Sequence, residues 1–226
     1  MVKPVWSFSL SAKLDLFAAF ADIARALGNA HRLDLLEHLA QGERSVEALA
    51  GKAGLTVANA SQHLQALGRV GLVVGERRGK QVVYRITEDD VLDLVAALRR
   101  VGERHTDAVK VVVGDYFQAR DSLDAVGFAA LEQMVTDGLA TILDVRPADE
   151  FADGHIPGAL SIPLTELKVR LDEVPTGLEV VAYCRGPWCV LAFEAVALLR
   201  EQGRLAKRLE GGLPEWRRAG LPVATA

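Results

Sequence analysis

The apolar pattern of this 226-residue chain changes period at Gly71, and the change leaves the first half very few arrangements. Upstream, apolar residues recur at helical spacing. A first run over residues 10–27 carries Leu14, Phe17, Phe20, Ile23 and Leu27, and Gly28 ends it. Asn29 can cap a second helix bearing Leu33, Leu35, Leu36 and Leu39, which Gly42 stops. Ser45 opens a short helix over 46–52, Gly54 is a turn, and Thr56 caps a helix over 57–70 with Leu64 and Leu67 facing inward. Beyond Gly71 the period falls to two. Leu72-Val73-Val74 and Gln81-Val82-Val83-Tyr84-Arg85-Ile86 flank Glu76-Arg77-Arg78-Gly79-Lys80, a β-hairpin with a basic tip. A long helix then begins at Glu88, carries Val91, Leu92, Leu94, Val95, Leu98 and Val101, and is expected to continue towards Phe117.

Short helix, tight turn, helix and basic hairpin is the order of a helix-turn-helix with a wing. A helix fits the major groove of DNA, and polar side chains on its exposed face reach base edges. Here that face offers Thr56, Ala58, Asn59, Ser61, Gln62, His63 and Gln65, of which Asn59 and Gln62 suit bidentate bonds to adenine. Arg77, Arg78 and Lys80 on the wing would meet phosphates or the minor groove. The whole chain has a net charge of −4, which alone argues against nucleic acid. Within 44–85, however, seven basic residues face only Glu47 and Glu76, a local charge of +5. The stretches Ala26-Leu27-Gly28-Asn29-Ala30-His31-Arg32-Leu33-Asp34-Leu35-Leu36, Ser45-Val46-Glu47-Ala48-Leu49-Ala50 and 61–73 resemble the ArsR family of dimeric transcriptional repressors. Family members that sense arsenite or cadmium commonly use thiolates in this half, and this half has none. His105 with Glu103 and Asp107 does not make a metal site, because neighbouring positions on a helix do not share a face. His31 and His63 read as packing or phosphate-contacting residues rather than ligands. No metal site and no cofactor are expected.

The second half alternates differently. After a linker at Tyr116–Asp124, a helix over 128–135 precedes a β-run over 140–145, a turn-rich stretch over 146–158 and a strand over 159–162. A helix over 164–171, a buried strand over 178–183 and an amphipathic helix over 190–202 follow. Strands alternating with helices imply a mainly parallel sheet covered on both faces. The only two cysteines, Cys184 and Cys189, share one loop here. A disulfide framework staples distant segments, so a close pair points instead to redox, sulfur or soft-metal chemistry. Cys184 falls at the carboxyl end of a strand, where such sheets bind ligands. The loop Cys184-Arg185-Gly186-Pro187-Trp188-Cys189 leads straight into a helix, whose free N–H groups favour a thiolate or an oxyanion. Gly186 permits a sharp turn and Arg185 adds positive charge. Cys184, Arg185, Gly186, Trp188 and Cys189 are therefore the candidate catalytic residues.

This half resembles the rhodanese domain. The carrying motifs are Leu143-Asp144-Val145-Arg146-Pro147-Ala148-Asp149-Glu150-Phe151, Gly154-His155-Ile156-Pro157-Gly158-Ala159, Tyr183-Cys184-Arg185-Gly186 and Gly211-Gly212-Leu213-Pro214-Glu215-Trp216. The resemblance implies a persulfide carried on Cys184, loop amides of 185–189 around it, and Asp144, Arg146 and His155 as scaffold of the loop. Many active rhodaneses have an arginine at the sixth loop position, where this chain has Cys189. That cysteine could resolve a persulfide into a disulfide or a longer sulfur bridge, provided the loop brings its ends within about 7 Å.

Two domains are expected: a mainly α winged helix-turn-helix domain over 1–120 and an α/β rhodanese-like parallel-sheet domain over 121–226. The fusion suggests a homodimeric repressor that binds a double-stranded DNA operator and senses reactive sulfur species or oxidants through Cys184 and Cys189. A sulfurtransferase and a sensor of arsenite or another thiophilic ion are the alternatives. The amino terminus lacks the apolar core of a signal peptide, and no stretch approaches 18 uncharged apolar residues. A cytoplasmic protein without a membrane partner is expected.

Overall fold

The computed structural model describes residues 6–118 and 125–225. They form two compact units, Met1–Ala96 and Ala97–Ala226. The division falls ahead of the expected boundary at 120/121. Of the linker expected at Tyr116–Asp124, residues 119–124 lie outside the described residues.

The first unit opens with α1 (Trp6–Leu27) and α2 (Ala30–Leu39), then a short strand β1 (Arg44–Ser45), α3 (Val46–Lys52) and α4 (Val57–Arg69). Each helix start follows from its cap. Asn29 Oδ1 accepts from the Arg32 amide, Ser45 Oγ from the Ala48 amide and Thr56 Oγ1 from the Asn59 amide, each at 3.2 Å. Gly54, at φ +64°, supplies the left-handed turn between α3 and α4. In the hairpin, β3 (Gln81–Ile86) spans the expected residues and β2 (Val73–Arg78) runs further than the pattern suggested, leaving only Gly79-Lys80 as the tip. β1 adds to β3 through Arg44 opposite Tyr84, giving the sheet order β1-β3-β2. Leu35, Leu36, Leu49, Leu64 and Leu67 meet in one buried cluster that holds α4 against α2 and α3.

Helix α5 (Asp90–His105) begins in the first unit, where Val91 is buried, and ends in the second. It does not continue to Phe117. Thr106 takes an extended conformation (φ −109°, ψ 112°), and α6 (Asp107–Val112) restarts behind it. A β-branched residue gains less from a helix than its neighbours, and Asp107 is better placed at a new helix start, where Lys110 Nζ reaches its carboxylate at 2.9 Å. A π-helical turn, Val113–Gln118, follows.

The rest of the second unit runs α7 (Phe128–Thr136), β4 (Ala140–Asp144), α8 (Ala148–Asp153), β5 (Leu160–Ser161) and α9 (Leu164–Leu167). A 3-10 turn, β6 (Glu179–Tyr183), α10 (Val190–Glu201), β7 (Ala206–Arg208) and α11 (Leu213–Arg218) complete it. The four strands are all parallel, in the order β5-β4-β6-β7. Both faces are buried, and β6 shows the period of two. Val180 and Ala182 pack with Leu143, Val196 and Leu199 on one side, and Val181 and Tyr183 with Leu131, Leu209 and Trp216 on the other. The chain leaves β4 towards β5 and returns on the other side at β6. The crevice beyond the ends of β4 and β6 is thus a topological switch point, and Cys184 is the first residue past β6.

Leu64 is fully buried in the first core. Leu64→Ala is expected to destabilise that unit by about 2–5 kcal/mol. Denaturant unfolding followed by circular dichroism would show its transition at lower denaturant, and an unmoved midpoint would contradict this packing.

Candidate functional site

Two surfaces carry the candidate residues. On α4, Thr56, Ala58, Asn59, Gln62 and Gln65 are exposed, while Ser61 and His63 are half-buried. The Gln65 amide donates to Ser61 Oγ at 3.2 Å, leaving Asn59 and Gln62 as the longest polar side chains projecting from the first two turns. His63 lies beside His31, with ring centroids 5.7 Å apart. Burial, together with the charges of Arg32 and His31, holds its pKa below the usual imidazole value. This disfavours the charged form of His63.

The wing is less basic than its composition. Arg78 is bound by the carboxylates of Glu43 and Glu76, which raise its pKa and compensate its charge. Glu43 lies one residue before the stretch counted as basic, and it reaches the wing only because β1 pairs with β3. Arg77 and Lys80 stay exposed at the tip, with Arg77 Nε 3.4 Å from the Gly79 carbonyl.

At the switch point, Cys184 and Cys189 are joined by a disulfide, their Cα atoms 6.3 Å apart, inside the range such a bond requires. Both are buried, at 1% and 4% exposure. The loop is a tight turn closed by the Cys189 amide donating to the Gly186 carbonyl at 3.1 Å, and Cys189 is the N-cap of α10. Pro187 has no N–H. In this closed form, two of the five amides expected to surround a sulfur are thus otherwise engaged or missing.

The loop is held from three sides. Arg185 makes a bidentate ion pair with Glu150 of α8 at 2.8 and 2.9 Å, so its charge is neutralised by a buried carboxylate rather than offered to a ligand. From β7, Arg208 lies over the Phe193 ring at 4.2 Å, with Nη1 3.5 Å from the Pro187 carbonyl. From below, Gly212 presses on the loop backbone. The Leu213 amide donates to the Cys184 carbonyl, and Glu215 accepts from the Gly212 amide at 3.0 Å. Glu150, Arg208, Gly212 and Glu215 were not singled out from the sequence. Glu150, Gly212 and Glu215 do lie inside the motifs quoted for the resemblance, which was their signal.

Asp144 and Arg146 form a fully buried ion pair at the end of β4. The Arg146 amide also donates to Asp144, and its guanidinium donates to the Gly154 carbonyl at 2.7 Å. Burial opposes the charge on Arg146, and the bonds from Asp144 outweigh it, so its pKa is raised. His155 stacks on Phe151 at 3.7 Å and its Nδ1 meets the Phe151 carbonyl at 3.0 Å, fixing the end of α8. Tyr183, whose pKa is raised by burial and by Asp144, accepts from the Ile156 amide.

A fourth contact comes from residues 99–117. The Trp188 indole N–H donates to Glu103, and the Trp188 ring packs on Phe117 at 4.9 Å and stacks with Phe193 at 6.1 Å. Arg99 lies 3.5 Å from Glu103 and 3.6 Å from Glu215. Beside Trp188 lies an apolar cavity of about 510 Å³, walled by Leu98, Val109, Val112, Val113 and Phe117.

Residues 128–219 match the rhodanese-like domain family and residues 27–76 a helix-turn-helix domain family. The chain is similar to the HTH-type transcriptional regulator Rv0324 of Mycobacterium tuberculosis, with 44% identity over 93% of this chain and 92% of that protein. It is 36% identical to a sulfurtransferase of Allochromatium vinosum over 42% of this chain and 88% of that one. Among solved structures, the homodimeric winged helix-turn-helix DNA-binding domain Mb0332 of Mycobacterium bovis is 42% identical. It covers 42% of this chain and 87% of that one, with a TM-score of 0.39.

A Cβ on Gly212 would stand 2.4 Å from backbone atoms of Arg185 and Gly186 and 2.5 Å from the Cys184 carbonyl oxygen, so either loop or support must move. Gly212→Ala is expected to lower stability by about 1–3 kcal/mol and to expose the cysteines to alkylation once reduced. Gly51→Ala on α3, with no atom within 4 Å of the added carbon, serves as the control: it should not lower stability and should leave alkylation unchanged. Equal alkylation rates in both variants would contradict the support assigned to Gly212.

Proposed function

The chain belongs to the helix-turn-helix transcriptional regulators that carry a C-terminal rhodanese-like domain, and from that premise we propose a sulfur-responsive homodimeric repressor. Reactive sulfur species or oxidants acting on Cys184 and Cys189 set its affinity for a DNA operator. The observation that carries this reading is the position of the cysteine pair. Both thiols of the chain sit at the switch point of the second unit, near enough to bond, while the DNA-binding unit has none. The chemistry needs no further group. The Cys184 thiolate attacks a sulfane sulfur of a polysulfide, the S–S bond there breaks, and a persulfide is left on Cys184. The Cys189 thiolate then attacks Sγ of Cys184 and expels hydrosulfide, closing the disulfide. Two electrons pass from the two thiols to the departing sulfur.

On the DNA side, α4 would enter the major groove, with Asn59 and Gln62 reading bases and Arg77 and Lys80 holding phosphates. Leu14, Leu16, Phe17 and Phe20 on α1 are each more than half exposed, an apolar face suited to a second copy. No helix among the described residues is long and apolar enough to cross a membrane. The likeness to a sulfurtransferase favours a second reading, an enzyme that turns over sulfur from Cys184. Cys189 in place of a loop cation, and Arg185 committed to Glu150, weigh against efficient use of an anionic donor.

Fluorescence anisotropy at fixed salt tests the proposal. Polysulfide treatment of the reduced protein should change operator affinity at least tenfold in the native sequence and leave Cys184→Ser unaffected. Unchanged affinity with Cys184 demonstrably modified would sink the regulatory reading and favour the enzyme. Within the interface, Asn59→Ala should cost about 1–3 kcal/mol on the operator and relax specificity. Lys80→Ala should weaken all sequences alike and reduce the salt dependence by about one counterion, and a sequence-specific effect would remove Lys80 from the backbone contacts.

A further inference from the structure

Residues 99–117 precede the rhodanese-like match and follow the helix-turn-helix match, so neither family accounts for them. They nonetheless touch the cysteine loop at its carboxyl end and reach its amino end through Glu215 and Gly212. At its carboxyl end, Trp188, which directly precedes Cys189, gives its indole N–H to Glu103 and its ring face to Phe117. At its amino end, Gly212 lies against the backbone of Cys184–Gly186. Its amide is held by Glu215, and Glu215 pairs with Arg99. Arg99 and Glu103 pair with each other one helical turn apart, closing the circuit. These three charged side chains are only 25–32% exposed, so water screens them less than it would an open surface pair. A further anchor, the Tyr116 hydroxyl donating to Glu194 of α10 at 2.8 Å, pins the π-helical turn beside the same loop.

We propose that the segment 99–117 is the reader of the cysteine loop: Glu103 and Phe117 bind Trp188 in the position that the closed disulfide gives it. This rests on the sulfur-responsive reading above and names the contact through which it would act. A low-molecular-weight dithiol gives two electrons and two protons to the Cys184–Cys189 bond, leaving two thiols and becoming a disulfide itself. The covalent closure is then gone while the Arg185–Glu150 pair and the backbone bonds of the loop stay, and Trp188 is free to leave Glu103. The apolar cavity of about 510 Å³ next to the indole gives it a second place to pack. Loss of the Trp188 contacts loosens the last turns of α5 and the α6 elbow at Thr106. The same helix α5 carries Val91, which is buried in the first core.

Glu103 and Phe117 are positioning residues in this scheme and touch no reacting sulfur. Hydrogen exchange of the full-length protein, measured by mass spectrometry with the disulfide closed and after reduction, tests them without DNA. Amides of 99–117 should exchange at least fivefold faster after reduction. Glu103→Ala should exchange fast in both states although its disulfide still forms by intact mass. Glu103→Gln, which keeps an acceptor for the indole, should restore most of the difference. Exchange over 99–117 that ignores the redox state, or a difference that survives Glu103→Ala, would overturn the proposal. A redox-dependent difference without any change in operator affinity would keep the reader and defeat the repressor reading instead.

Discussion

The buried ion pair between Asp144 and Arg146 is the constraint from which the geometry of the second unit follows. Both side chains are at zero exposure, so neither charge could exist there alone. Breaking such a pair from one side costs about 3–5 kcal/mol, because the survivor is left buried and uncompensated. The pair is kept intact by further bonds, since Arg146 also holds the Gly154 carbonyl and thereby fixes the end of α8. That fixes Glu150, and Glu150 fixes Arg185 in the cysteine loop. One ion pair at the end of β4 thus sets the position of a loop that begins at the end of β6.

A consequence is that the loop's own cation serves the scaffold. Reading Arg185 as a source of positive charge was reasonable from its neighbours, yet its partner lies 35 residues earlier on a different element. The wing repeats the pattern, since Arg78 is drawn off by Glu43 across 35 residues of sequence. In both places a charge that looked available for a ligand is spent on internal structure. In the proposed DNA interface this leaves a narrower set, Arg77 and Lys80 with the amides of Asn59 and Gln62. What remains at the cysteine loop is a buried disulfide whose one loop arginine is committed to Glu150.

Local signals made much of this legible. Asn29, Ser45 and Thr56 cap because a small oxygen-bearing side chain next to an apolar repeat can satisfy a free amide, and the helices begin where these caps place them. The strands β4 and β6 were visible as short apolar runs bounded by turn residues. Short elements escaped. Helix α8 is six residues long inside a turn-rich stretch, and β7 and α11 are shorter than any periodic window resolves. The break at Thr106 falls in the polar run 103–107, between the apolar residues Val101 and Ala108, and has at that point neither a glycine, which marked the other helix ends, nor a proline. The contacts of Trp188 with Glu103 span 85 residues, and no spacing rule connects them.

In the proposed repressor, chemistry at one loop sets the affinity of a DNA-binding unit that has no thiols of its own. The most direct test is a redox titration in which operator affinity and the thiol content of Cys184 and Cys189 are followed in the same samples across a series of dithiol–disulfide buffers. The account predicts that both curves turn at the same potential, with affinity tracking the fraction of closed disulfide. Affinity that stays flat while the cysteine pair passes from thiol to disulfide would contradict it.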